Sequence, residues 1–126
     1  MMRVNILILM IVLPCLAFSA TLTVKQDGSG DYTIIQAAIE AANDGDTVLV
    51  HPGRYIENID YIGKSISVYS LEAIDGDSTY ISQTIIDGNR NGSCVAFRNA
   101  EQIASLRGFT LTNGTGYLTY DEYTRG

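Results

Sequence analysis

Few side chains in this sequence of 126 residues have types and spacing that could support chemistry. Aromatic rings offer a flat apolar face to a sugar ring, and guanidinium groups pair with carboxylates, so the candidates for binding an acidic polysaccharide are Tyr69, Arg98 and Arg107. Residues 65–70 alternate in polarity, so Val68 should point inward and Tyr69 outward. The sequence therefore predicts a carbohydrate-binding position on an outer surface. The alternative is that tyrosine simply suits strand surfaces.

No group of residues has the spacing of a catalytic site. His51 is the sole histidine, and it stands before Pro52 and Gly53 without a recognisable partner, which favours a turn residue. Cys94 begins the apolar run 94–97, where a small buried side chain is a better interpretation than a nucleophile. We predict no catalytic residue in this chain.

Two acidic segments could be considered for a metal ion. Residues 75–77, Asp-Gly-Asp, lack the remaining ligand spacing of a calcium loop and indicate a polar turn. Residues 44–46 have the same composition but coincide with a predicted helix end. We therefore predict neither a metal site nor a cofactor.

The charge balance excludes some partners. The chain has 8 basic and 14 acidic residues, a formal net charge of −6. Such a surface repels phosphate backbones and anionic headgroups, so we expect no nucleic acid partner and no electrostatic membrane docking.

The N-terminal segment, residues 1–20, has the pattern of a signal peptide. A positive charge at Arg3 precedes an apolar run over residues 6–13, and small residues follow at Ser19 and Ala20. A membrane span would need about 20 apolar residues. We predict cleavage after Ser19 or Ala20, a secreted or cell-surface protein without stable membrane insertion, and a single domain over residues 21–126.

One helix is predicted, and it should close one end of the fold. Thr33 and Gln36 have the spacing of a capping box, so the helix should begin at Thr33, with Asp31 as the alternative cap, and end at residues 43–45. Gln36 and Glu40 should remain in solvent. Apolar side chains recur at i, i+3, i+4 and i+7 on one face: Ile35, Ala38, Ile39 and Ala42.

The rest of the chain consists of short strand and turn segments, and we predict no second helix. The strand segments are residues 47–50, 65–70, 84–86, 94–97, 105–107 and 109–112. Val48, Val68 and Ile86 follow one another at nearly even intervals along the sequence. Parallel strands need long connections, which helix-free segments supply if the chain coils around an axis. The pattern therefore favours an all-β solenoid.

A repeated phrase supports stacked coils. Residues 84–88 and 110–114 both read Thr-apolar-x-(Asp or Asn)-Gly, which should place Asp87 and Asn113 at the same corner of successive coils. Gly108 should mark a bend or bulge.

Several of these motifs resemble those of a known family. Residues 27–33 and 35–39 resemble the opening of pectin methylesterases and of uncharacterised right-handed β-helix repeat proteins in the pectin-lyase-like superfamily. Residues 51–59, 84–88 and 108–114 continue the likeness. The resemblance implies a right-handed parallel β-helix with an N-terminal capping helix. The catalytic aspartates, arginine and glutamines of the esterases belong to later coils of that family, and no stretch here matches them.

Two function classes follow from this resemblance. The first is a secreted or cell-surface scaffold or binding module that contacts extracellular polysaccharide, and it is the one we favour. The second is the N-terminal portion of a polysaccharide-active enzyme of the pectinesterase or pectate lyase type. Nothing after residues 113–114 resembles a closing element, so we expect a fragment that self-associates through an open C-terminal coil.

Overall fold

The computed structural model describes residues 18–98 and 103–116, so most of the predicted signal segment lies outside the described residues. None of the helices in those two ranges is long and apolar enough to cross a membrane. The strands are β1 (Thr21–Val24), β2 (Thr47–Val50), β3 (Gly53–Ile56), β4 (Ile59–Asp60), β5 (Ser67–Ser70), β6 (Thr84–Asp87), β7 (Val95–Ala96), β8 (Ser105–Arg107) and β9 (Thr110–Thr112). The helices are α1 (Ile35–Ala41), α2 (Glu72–Asp75) and α3 (Thr79–Gln83).

The strands form three parallel sheets. Their orders are β1-β2-β5-β8, β3-β6-β9 and β4-β7, and every paired strand runs parallel to its neighbour. From β2 to β4 the chain visits the three sheets in turn, and it repeats that order from β5 to β7. The all-β prediction with parallel strands is confirmed, and each of these two passes adds one strand to each sheet.

The register corrects the spacing argument in one respect. Val48 pairs with Val68, as their spacing predicted. Val68, however, pairs onward with Leu106, whereas Ile86 lies in another sheet and pairs with Tyr55. One pass of the chain carries three short strands, so apolar segments that recur at even intervals can belong to different faces of the same pass.

The repeated phrase is shifted by one residue within the sheet. Ile85 pairs with Thr110, although the phrase aligned it with Leu111. Asp87 and Asn113 nevertheless share a corner, because the Asn113 amide donates to the Asp87 carboxylate at 3.0 Å. The predicted bend at Gly108 is present, with a φ of +86°.

The core lies between the sheets and beneath α1. The buried apolar side chains, exposed by no more than 7 %, are Val24, Ile35, Ala38, Ile39, Ala42, Val48, Val50, Tyr55, Ile59, Tyr61, Ile66, Val68, Ile86 and Cys94. Two buried tyrosines bond their hydroxyls to backbone oxygens, Tyr55 to His51 at 2.8 Å and Tyr61 to Ser105 at 2.7 Å. Burial raises the pKa of Tyr55 to about 12, so its hydroxyl stays protonated in the core.

The start of α1 differs from the prediction. The predicted apolar face is buried, but the helix begins at Ile35 and Thr33 makes no capping bond. The side chain of Glu57 caps it instead, accepting from the backbone N–H of Ile35 at 2.9 Å and of Gln36 at 3.0 Å. The alternative cap is also wrong, because Asp31 bonds the backbone of β1. A carboxylate from a later strand connection reaches the helix terminus, which no local pattern indicates.

The end of α1 is held in a similar way. The helix ends at Ala41, before the predicted stop at residues 43–45, and Ala42 is already extended. The Lys64 ammonium donates to three carbonyl oxygens at this end, at 2.6, 2.7 and 2.9 Å. Gln36 is half-buried rather than in solvent, because its amide bonds the backbone N–H and C=O of Asp60. Strand connections after β3 therefore hold both ends of the helix.

The prediction of a single helix is wrong. Helices α2 and α3 occupy the connection between β5 and β6. They are four and five residues long, about one turn each, too short for an apolar period to appear in the sequence. Gly76 takes a left-handed conformation after α2, and Asp77 accepts from the N–H of Thr79 at 2.9 Å. The interpretation as a polar turn fits residues 76–77, which connect the two helices, whereas Asp75 is the last residue of α2.

Candidate functional site

The outer face of the first sheet brings together two of the three predicted binding residues. Tyr69 in β5 is the register partner of Arg107 in β8. Ser105 Oγ lies 3.1 Å from the Tyr69 hydroxyl and 3.0 Å from Ser67 Oγ. Hydrogen bonds with Ser105 and Ser67 lower the pKa of Tyr69, and the charge of Arg107 lowers it further. The two strands thus present a half-buried aromatic ring, three hydroxyls and a cation side by side.

Arg107 is held by an acidic residue on α2. Its Nε and Nη2 donate to the two carboxylate oxygens of Glu72 at 2.9 and 3.1 Å. This bond lowers the pKa of Glu72, which therefore stays charged at neutral pH. The Arg107 side chain is still 58 % exposed. A guanidinium has five N–H donors, so donors remain for a further anionic partner.

The third predicted residue lies elsewhere. Arg98 follows β7 in the third sheet, and its Nε is 3.7 Å from a carboxylate oxygen of Asp60. Tyr69 and Arg107 belong to the first sheet. Arg98 therefore follows a strand of a different sheet from the one that carries Tyr69 and Arg107. A carbohydrate-binding role for all three stays a prediction.

A corner network joins three successive passes of the chain. Asp87 Oδ2 accepts from Arg54 Nε at 2.9 Å, and Oδ1 accepts from the Asn89 N–H at 2.9 Å and from the Asn113 amide at 3.0 Å. The Asn89, Asn113 and Arg54 contacts lower the pKa of Asp87, in that order of size. Sequence reasoning found the corner through the repeated phrase but gave no sign of Arg54.

Several residues weighed for catalysis and metal binding make contacts within the fold. Cys94 is 7 % exposed, and its Sγ lies 3.1 Å from the Thr112 carbonyl, in agreement with the small buried side chain that the sequence predicted. Among residues 18–98 and 103–116, no group of three or more His, Cys, Asp or Glu side chains could hold a metal ion. Asp46 accepts from the backbone N–H of Ala20 and Asn43, which accounts for its burial.

Two of the cavities in the described part of the chain have neither Tyr69 nor Arg107 in their lining. One, of about 630 Å³, lies at the last strands of the three sheets and includes Val95, Phe97, Leu106 and Leu111 in its lining. Leu111 is 49 % exposed although its partner Ile86 is fully buried. Self-association at this end stays a prediction.

The second cavity, of about 340 Å³, is polar. It is lined by Lys25, Gln26, Asp27, His51 and Pro52. These residues follow β1 and β2, and the sequence gave no signal that they would meet, because α1 and its connections separate the two groups along the chain. We call this cavity the His51 groove.

Comparison with known proteins gives a partial likeness. No protein-family model and no solved structure matches the chain. A curated protein of Arabidopsis thaliana described as "Probable pectinesterase/pectinesterase inhibitor 6" is 40 % identical over 98 residues. The match covers 71 % of this chain, which spans only 17 % of the length of that relative. The chain is therefore similar to a limited part of a pectinesterase-type protein. Its own strands form parallel sheets.

Proposed function

We propose that this chain is the N-terminal part of a right-handed parallel β-helix of the pectin-lyase-like superfamily. In this proposal it is a secreted or cell-surface module that binds an acidic polysaccharide of the pectin type. Three parallel sheets visited in a repeated order support the fold, and the likeness to a pectinesterase-type protein supports the polysaccharide class. The observation that carries the binding function is the adjacency of Tyr69 and Arg107 on the outer face.

An extended glycan fits this face for reasons of spacing and charge. Parallel strands lie about 4.8 Å apart, so a chain of sugars laid across them meets side chains from successive strands. Tyr69 offers a ring face and a hydroxyl, while Arg107 offers donors to a uronate carboxylate. The Glu72 pair holds the guanidinium in place before a ligand arrives, which reduces the ordering cost of binding.

Binding without catalysis is the preferred form of this proposal. The most heavily bonded carboxylate in the described ranges, Asp87, accepts two hydrogen bonds at each oxygen. A carboxylate has about four lone-pair sites, so Asp87 has none left to act as a base or nucleophile. Its role in this proposal is to tie three passes of the chain together.

A second candidate function is the N-terminal portion of a pectinesterase or pectate lyase type of enzyme. The 40 % identity to a protein described as a probable pectinesterase favours it. In that case the catalytic residues would lie beyond the part of the chain that the structure describes. Release of methanol or of unsaturated products from pectin by the full-length protein would support this candidate over the binding module.

The binding proposal is tested by calorimetric titration with polygalacturonate and with neutral galactan. We expect binding to polygalacturonate only. Arg107→Gln should weaken it about tenfold, the loss of about 1.4 kcal/mol expected for one charge-assisted contact. Arg90→Gln removes the same charge from an exposed turn and is the matched control. Equal affinities for Arg107→Gln, Arg90→Gln and the unchanged protein would refute the assignment of this face.

A further inference from the structure

The His51 groove lies just beyond the ends of β1 and β2. Val24 pairs with Val50, and both are fully buried, so the next residues, Lys25 and His51, turn to the outer side of the sheet. Leu49, two positions before His51, is the register partner of Tyr69. The groove is thus on the same side of the sheet as Tyr69, displaced along the strands.

The walls of the groove are fixed by local hydrogen bonds. Asp27 Oδ1 accepts from the Ser29 N–H at 2.9 Å and from the Ser29 hydroxyl at 2.7 Å, and the Lys25 N–H bonds the Tyr32 carbonyl at 2.9 Å. The Gln26 amide donates to the backbone carbonyl of Arg54 at 2.7 Å. A ligand would therefore meet a groove whose shape is already set.

Two side chains in this groove, Lys25 and His51, make no hydrogen bond within the described part of the chain. Across residues 18–98 and 103–116, no hydrogen bond or ion pair engages the Lys25 ammonium, and no hydrogen bond engages the His51 ring. Burial, with a smaller contribution from Lys25, lowers the pKa of His51, so its imidazole is neutral at pH 7 and has one donor and one acceptor. The Lys25 charge acts on both Asp27 and His51 without a close ion pair, so the ammonium keeps its donors for an anionic ligand.

The chemistry of the lining selects the ligand class. The Lys25 ammonium pairs with one carboxylate, the neutral imidazole and the Asp27 carboxylate bond hydroxyls, and the Pro52 ring offers an apolar surface to sugar C–H groups. A phosphate would bring a second negative charge close to Asp27, and a neutral sugar would cover the ammonium without pairing it.

We propose that the His51 groove binds one uronate residue of an acidic polysaccharide, as a second contact point on the same outer side as Tyr69 and Arg107. This rests on the proposed function, because it requires an acidic glycan ligand. The groove extends that function by assigning Lys25 to the uronate carboxylate and His51 and Asp27 to its hydroxyls.

The test uses trigalacturonate as the probe and the full chain as the receptor. Because His51 is the sole histidine, its ring protons give one unambiguous pair of NMR signals. We expect these signals to shift saturably with trigalacturonate and to stay fixed with neutral galactotriose. Saturable binding of trigalacturonate that leaves the His51 signals unmoved would overturn the proposal.

A pair of charge-matched variants separates the groove from the Tyr69–Arg107 face. Lys25→Met should weaken trigalacturonate binding about tenfold, whereas Arg90→Gln should leave it unchanged. If Lys25→Met binds normally and Arg107→Gln does not, the groove assignment is wrong and the outer-face proposal stands. If Lys25→Met alone weakens binding, the groove is the ligand site and the Tyr69–Arg107 assignment is wrong. Absence of any trigalacturonate binding would refute both.

Discussion

Replacement of Glu57 by alanine should destabilise the protein by about 2 kcal/mol, because α1 loses its N-terminal cap. The Glu57 carboxylate accepts from the first two N–H groups of α1, at 2.9 and 3.0 Å, and the side chain is half-buried. A capping side chain typically contributes about 1 kcal/mol, and a negative charge at a helix N-terminus adds about 0.3–1 kcal/mol. Two N–H groups left without their acceptor bring the expected loss to about 2 kcal/mol.

The assay is urea unfolding at neutral pH, followed by circular dichroism. With a denaturant slope of about 2 kcal/mol/M, the midpoint of Glu57→Ala should fall by about 1 M. Glu57→Gln keeps one acceptor oxygen and should lose about half as much. Thr33→Ala is the control, because the Thr33 side chain makes no capping bond and its loss should be within about 0.5 kcal/mol. The reasoning is refuted if Thr33→Ala lowers the midpoint and Glu57→Ala does not.

Lys64→Met should reduce stability by about 1–2 kcal/mol, because three carbonyl oxygens at the end of α1 lose a charged donor; an unchanged urea midpoint would contradict this role. Gly88→Ala should reduce it by about 1–3 kcal/mol, because the new Cβ would lie 2.9 Å from a backbone oxygen of the next pass. Gly116→Ala is the control, because its new Cβ meets no atom of the described residues within 4 Å, and it should be neutral by thermal melting. Acid should weaken the corner network. The pKa of Asp87 is lowered from 3.8 in the folded protein, so the unfolded chain binds more protons than the folded protein does in acid. The stabilisation present above pH 3.8 is therefore lost as the pH falls through the lower pKa of the folded state. Urea midpoints measured from roughly pH 5 to pH 2 should therefore fall more steeply for the unchanged protein than for Asp87→Asn, and parallel curves would argue against it.

Features that depend on local pattern were predictable from the sequence. The apolar face of α1 follows from the helical period, and the inward position of Val68 follows from alternation along a strand. Asp87 and Asn113 were placed at one corner because each precedes a glycine in the same phrase. In each case the pattern that carries the prediction is itself only a few residues long.

Features that depend on distant contacts were not predictable. Thr33 has the spacing of a cap, but Glu57 is better placed in space and takes that role from a later connection of the chain. Val68 and Ile86 are spaced as if they occupied the same position in successive coils. The spacing alone does not reveal how many strands one pass of the chain contains. The His51 groove likewise exists only because the parallel register sets Lys25 beside His51.

The two side chains that hold α1 also constrain the order of events during synthesis. A helix of seven residues is too short to persist alone, and its caps, Glu57 and Lys64, leave the ribosome only after β2 and β3 have followed the helix. The helix and the first pass of strands therefore become stable together, as one cooperative unit. Native-state hydrogen exchange should give the amides of α1 and β3 the same opening free energy. A lower opening free energy for α1 than for β3 would contradict this.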